Sequence, residues 1–117
     1  MPRVLVVDDY EDAAEIMAEL LTMHGFEAKA ETDVRKVLDA IRVWKPDAVL
    51  LDYLLGSEES GDRVLREILD GHPGLRVCVY TGWAPAREKL GALRNTSVFI
   101  KPSQFDELLD ELRLLPR

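Results

Sequence analysis

The chain has 117 residues, 47% of them hydrophobic, enough to bury one core and too few for two. Its 22 acidic and 15 basic residues give a formal charge of -7, so the basic footprint of a nucleic-acid binder is missing and no direct nucleic-acid contact is expected. A single cysteine rules out an internal disulfide or a cysteine-based metal site, and no apolar run approaches membrane-spanning length.

Met1-Pro2-Arg3-Val4 lacks the pattern of a cleaved leader, so a cytoplasmic location without membrane contact is expected. Val4-Leu5-Val6-Val7 is a short continuous apolar run, as in a strand covered on both faces. Ala13, Met17, Leu20, Leu21 and His24 then recur at helical spacing. Phe26-Glu27-Ala28-Lys29-Ala30 alternates apolar with charged residues, which suits an edge strand with one face partly wet. Val34, Val37, Leu38, Ile41 and Trp44 mark a second amphipathic helix, with Trp44 its last core contact.

Ala48-Val49-Leu50-Leu51 is another buried strand, followed by a small, acidic loop from Gly56 to Gly61. Val64, Leu65, Ile68 and Leu69 give a third helix stopped at Gly71. Val77-Cys78-Val79-Tyr80 is the fourth strand and should hold Cys78 as a buried, inert thiol. Leu90 and Leu93 after Pro85 suggest a short fourth helix, and Val98-Phe99-Ile100 a fifth strand. The closing helix is expected from an N-cap at Ser103, with Asp106 three residues on, through Phe105, Leu108, Leu109 and Leu112 to the terminus. His24 and His72 are read as nonfunctional.

No repeat or linker interrupts this pattern, so residues 1–117 are read as one domain. Strict alternation of strands and helices implies right-handed crossovers and an α/β doubly wound sheet. Five units with an edge-like second strand fit the flavodoxin-like five-stranded parallel order 2-1-3-4-5 with five helices. In that order strands one and three are neighbours at the switch point, where a crevice opens beyond their carboxyl ends.

Asp8 and Asp9, Asp52, Thr81 and Lys101 all fall at the carboxyl ends of apolar runs, and so on one rim. Three carboxylates there would repel one another by about 4 kcal/mol per pair at about 4 Å and an effective dielectric of about 20, which calls for a cation. An all-oxygen set without cysteine or a suitably placed histidine favours Mg²⁺. With Lys101 as a movable charge and Thr81 as a hydroxyl donor, the set has what phosphoryl transfer needs.

Val4-Leu5-Val6-Val7-Asp8-Asp9, Val49-Leu50-Leu51-Asp52, Tyr80-Thr81-Gly82 and Ile100-Lys101-Pro102 together resemble the response-regulator receiver domains of two-component signalling, across essentially the whole chain. The resemblance implies that Asp52 is the phosphoacceptor and attacks a phosphohistidine. It further implies that Asp9 ligates Mg²⁺ directly, Asp8 mainly through water, and Leu54 through its backbone carbonyl. Thr81 and Lys101 would each engage a phosphoryl oxygen, and the Lys101-Pro102 bond would be cis. A sensor histidine kinase or histidine phosphotransfer protein would supply the group, docking near Ala13, Ala14, Met17 and Ser103, and a downstream protein would read it.

The chain departs from the family pattern at Val98, where receivers usually carry the aromatic residue that turns inward as the threonine shifts. Phe99 should point to the opposite face of the sheet. The Thr81–Lys101 interval is short for the family, and the Gly56–Gly61 loop carries an apparent insertion that displaces Gly61. Leu54 and Trp83, which flank the acceptor in receivers, offer no group to orient a hydrolytic water, so slow self-dephosphorylation is expected; Trp83 is equally readable as an exposed partner-binding aromatic. Three other readings share the pocket: a phosphorelay intermediate, a phosphorylation-independent scaffold, and an aspartate-nucleophile phosphohydrolase. The last is opposed by Leu54, where a second carboxylate would be required. The chain can equally be a stand-alone, chemotaxis-regulator-like receiver or a piece of a larger regulator.

Overall fold

The computed structural model describes residues 1–53 and 58–115, with backbone only at 58–60. Five parallel strands, β1 (Arg3–Val7), β2 (Glu27–Glu31), β3 (Ala48–Leu51), β4 (Arg76–Thr81) and β5 (Thr96–Ile100), lie in the order β2-β1-β3-β4-β5. The helices α1 (Glu11–Met23), α2 (Val37–Trp44), α3 (Glu58–Gly71), α4 (Ala86–Leu90) and α5 (Phe105–Arg113) alternate with them. This is the expected flavodoxin-like, doubly wound topology. No described helix is long and apolar enough to cross a membrane.

Strand alternation divides the interior into two cores. Leu5, Val7, Val49, Leu51, Val77 and Val79 face one side, where they meet Val37 and Ile41 of α2, Val64, Leu65 and Ile68 of α3, and Leu90 of α4. Val4, Val6, Ala48, Leu50, Cys78 and Tyr80 face the other, against Ala14 and Leu21 of α1 and Leu108, Leu109 and Leu112 of α5. The edge assignment of β2 holds: its residues are half-buried or exposed, and it runs one residue later than expected. Val98 packs with the first core and Phe99 with the second, so the two do point to opposite faces.

Helix ends follow local chemistry. Glu11 and Asp12 place negative charge in the first turn of α1, complementing its dipole. The helix closes as Gly25, at φ +93°, donates its N–H to the Thr22 carbonyl and Phe26 donates to that of Leu21. His24, expected on the apolar stripe, is the exposed C-cap, its ring edge-on to Phe105 at 5.9 Å.

Several expected boundaries move. Asp33 accepts the Arg35 N–H at 2.9 Å and caps a 3-10 turn, Val34–Lys36, so α2 begins only at Val37 and Leu38 lies exposed rather than in the core. Trp44 does close α2 as a core contact, with the Arg3 guanidinium 5.6 Å from its ring. The acidic loop is shorter than expected because α3 begins at Glu58; Gly56 and Ser57 lie outside the described residues. Ser103 is not the cap of α5. The cap is Gln104, whose side-chain oxygen turns back to accept the Ile100 N–H at 2.8 Å, and the helix ends at Arg113.

Candidate functional site

Parallel pairing aligns the strand ends. Val7 is level with Leu51, and Leu51 with Val79, so Asp8 and Asp52 emerge side by side where β1 and β3 stop. The Asp52 N–H donates to the Val7 carbonyl at 3.0 Å, which extends that register to Asp52. At the next pair, Thr81 is level with Ile100, and the Lys101 N–H donates to the Thr81 carbonyl at 2.8 Å. The Lys101-Pro102 bond is cis.

These ends open into a cavity of about 320 Å³ lined by Asp8, Asp52, Lys101 and Pro102, with Ala13, Ile16 and Met17 of α1 and Tyr80 forming its apolar wall. Lys101 Nζ stands 4.0 Å from Asp52 Oδ2, and 5.4 Å from the centre of the Tyr80 ring. That separation is beyond a hydrogen bond but within strong Coulombic reach in a half-buried setting.

Asp8 is 6% exposed, and one oxygen accepts the Tyr10 N–H at 3.0 Å. Its pKa lies above the usual carboxylate value chiefly because burial disfavours the charge; the Tyr10 bond opposes this, the Asp52 and Asp9 carboxylates add to it, and Lys101 opposes it. A buried carboxylate beside others, in an all-oxygen setting without thiolate or imidazole, fits a hard divalent cation held by one or two carboxylates.

Of the site residues expected from sequence, Asp8, Asp52 and Lys101 meet in this cavity. Asp9 is exposed and does not line it, and among the described residues no three His, Cys, Asp or Glu side chains group closely enough to cage an ion. Leu54 lies outside the described residues. Thr81 is fully buried and does not line the cavity either; its hydroxyl oxygen accepts the Trp83 N–H at 3.1 Å. Ala13 and Met17 of the expected docking set line the cavity, whereas Ala14 is buried in the core and Ser103 is not part of the lining.

Sequence reasoning missed Tyr53. Directly after Asp52 and fully buried, it stacks on Trp83 with centroids 5.9 Å apart and planes 11° from parallel. An aromatic next to Asp52 was the available signal, but nothing local tied it to position 83. Trp83 is therefore a half-buried stacking partner rather than a freely exposed aromatic.

A doubly wound α/β domain whose sheet ends, at its carboxyl edge, in a cavity lined by two carboxylates and a lysine belongs to the class of small signalling domains. Residues 4–113 match the response regulator receiver domain family, and the chain belongs to it: it is a receiver domain of a two-component system. It is 31% identical over 117 residues to the response regulator MprA of Mycolicibacterium vanbaalenii, covering 98% of this chain and 50% of that protein. The chain thus spans about half the length of the curated relatives it matches. Among solved structures, the response regulator TrrA of Thermotoga maritima, in complex with Mg(2+)-BeF, superposes with a TM-score of 0.81 at 27% identity over 97% of each chain. NtrX of Brucella abortus aligns with a TM-score of 0.77 at 29% identity, over 95% of this chain and 26% of its own.

Proposed function

We propose that the domain accepts a phosphoryl group on Asp52 from a phosphohistidine of a sensor histidine kinase or histidine phosphotransfer protein, and that the acyl phosphate changes which downstream protein it binds. The observation that carries this reading is the 4.0 Å approach of Lys101 Nζ to Asp52 Oδ2 in the cavity that Asp8 also lines.

In the transfer, an Asp52 carboxylate oxygen forms a bond to phosphorus as the phosphohistidine N–P bond breaks; the bonding pair leaves with the imidazole nitrogen. Lys101 pairs with one transferring oxygen, and Thr81 donates its hydroxyl to another. The cavity's oxygens fit Mg²⁺, which Asp8 and Asp52 would hold, with Asp9 and the Leu54 carbonyl added by the family resemblance; it would supply positive charge to offset the carboxylates and the phosphoryl oxygens. The Mg(2+)-BeF complex of TrrA supports this assignment. Self-dephosphorylation is slow, because Trp83, like Leu54, is apolar and offers no carboxamide or carboxylate to orient water.

Incubation with acetyl phosphate and Mg²⁺, followed by intact-mass analysis, tests the reading. Wild type should gain one phosphoryl group and keep it for minutes or longer, EDTA should suppress labelling, and Asp52→Asn should remain unlabelled. Labelling that survives Asp52→Asn would move the acceptor elsewhere, and loss of the group within seconds would overturn the slow hydrolysis.

A further inference from the structure

The aromatic side chain that usually answers a receiver's threonine is replaced here by Val98, yet Thr81 is already tied to an aromatic of its own. Its hydroxyl oxygen accepts the N–H of Trp83 two residues on, an ST-turn that shapes the start of the β4–α4 loop. The Trp83 indole in turn lies flat on the ring of Tyr53, the residue next to Asp52. The stack therefore bridges the ends of β3 and β4, the two strands that carry the acceptor and the hydroxyl.

Two side chains hold it from outside. Lys89 of α4 places its ammonium 5.9 Å from the Tyr53 ring centre and 6.0 Å from that of Trp83. The Tyr53 hydroxyl lies 3.2 Å from Asp62 Oδ1, and Asp62 is paired with Arg66 at 2.9 Å. Trp83 and Val98 both pack against the core on the α2, α3 and α4 side of the sheet, so the tryptophan sits on the face an inward-turning aromatic at 98 would have served.

We infer that Trp83 and Tyr53 are the positioning pair that reports phosphorylation of Asp52 in this chain, through the Thr81 hydroxyl. The inference rests on the proposed acceptor role of Asp52. A phosphoryl group adds about −1.5 to −2 charge and three acceptor oxygens. A hydroxyl-to-anion bond is roughly twice as strong as a neutral one, and because Thr81 does not line the cavity, its hydroxyl must rotate toward the anion to donate, which carries the oxygen away from the Trp83 N–H. The loop then relaxes, the indole leaves Tyr53, and the surface beside Lys89 on α4 changes.

The sequence contains two tryptophans, and Trp44 packs with Arg3 at the opposite edge of the sheet, so a Trp44→Phe background isolates the Trp83 emission. Emission is recorded alongside the labelled fraction by intact mass. Labelling should shift the Trp83 spectrum to longer wavelength in proportion to that fraction. Tyr53→Leu should place the unlabelled spectrum near the labelled position, whereas Tyr53→Phe, which keeps the stack, should restore the shift. Thr81→Val should remove the shift per labelled molecule, and Thr81→Ser should retain it. Full labelling with an unchanged spectrum, or a full shift per labelled molecule in Thr81→Val, overturns the inference and leaves Asp52 as acceptor. Absence of labelling in the parent overturns both.

Discussion

Gly61 lies so close to the backbone of Tyr53 that a Cβ built on it would fall 1.4 Å from the Tyr53 carbonyl oxygen. Only glycine lets α3 pass the end of β3 at this point, one residue beyond Asp52. Gly61→Ala must push the helix or the Tyr53 segment aside. It should cost roughly 2 kcal/mol or more, seen as a lower urea midpoint. The same displacement should slow Asp52 labelling; a variant with the wild-type midpoint and rate would refute this.

Buried Asp8 makes stability depend on pH in a direction its environment sets. Its folded-state pKa is above the ordinary 3.8, so its contribution to stability is complete below that value and is lost as pH rises through the raised one. At neutral pH the ionised carboxylate therefore destabilises the fold. Asp8→Asn should raise the thermal midpoint at pH 7 by a few degrees, corresponding to about 1 kcal/mol, and the gain should vanish in acid below the ordinary value. Mg²⁺ should raise the thermal midpoint of wild type, reversibly with EDTA, and by less in Asp8→Asn. A gain that grows on acidification would contradict the assignment.

Lys101→Met keeps the apolar stem over Tyr80 and deletes the charge 4.0 Å from Asp52. Thermal stability should change by less than about 1 kcal/mol, since a long, partly exposed pair contributes little. Phosphorylation by acetyl phosphate should slow by about tenfold to a hundredfold, the loss of one charge-stabilising contact. Rates equal to wild type would remove Lys101 from the transfer.

Glu111 ties α5 to β4 and β5: it accepts from Arg76 at 3.0 Å, Ser97 at 2.9 Å and the Cys78 thiol at 3.2 Å. Burial alone would raise its pKa, but the Arg76, Cys78 and Ser97 bonds outweigh that and hold it below the ordinary 4.5. Its stabilisation is thus present above that pH and lost as pH falls through the lowered value. Glu111→Gln should destabilise the domain by about 1–3 kcal/mol at pH 7 and flatten the acid limb of its stability profile. Burial pushes the Cys78 thiol far above its ordinary 9.0, so wild type should resist disulfide reagents at pH 8 until denatured. Rapid folded-state labelling would refute that burial.

Interior strands were legible because their apolar runs need no partner to be recognised: Val4 to Val7, Ala48 to Leu51 and Val77 to Tyr80 all lie within β1, β3 and β4. The rule of two that sends alternate residues to opposite faces also placed Val98 and Phe99 correctly. Boundaries fared worse where a side chain chose among competing backbone partners. Asp33 capped a 3-10 turn in place of continuous helix, and Gln104 rather than Ser103 closed the turn before α5.

The chain itself determined the order of strands and helices, and with it the convergence of Asp8, Asp52 and Lys101, because parallel crossovers leave every strand pointing the same way. Tertiary packing alone decided that Tyr53 would meet Trp83, that Gly61 would press on a carbonyl, and that Glu111 would gather three donors from two strands. Those contacts join residues 8 to 35 positions apart in sequence, and no local periodicity encodes a distance between side chains that only the folded layers bring together.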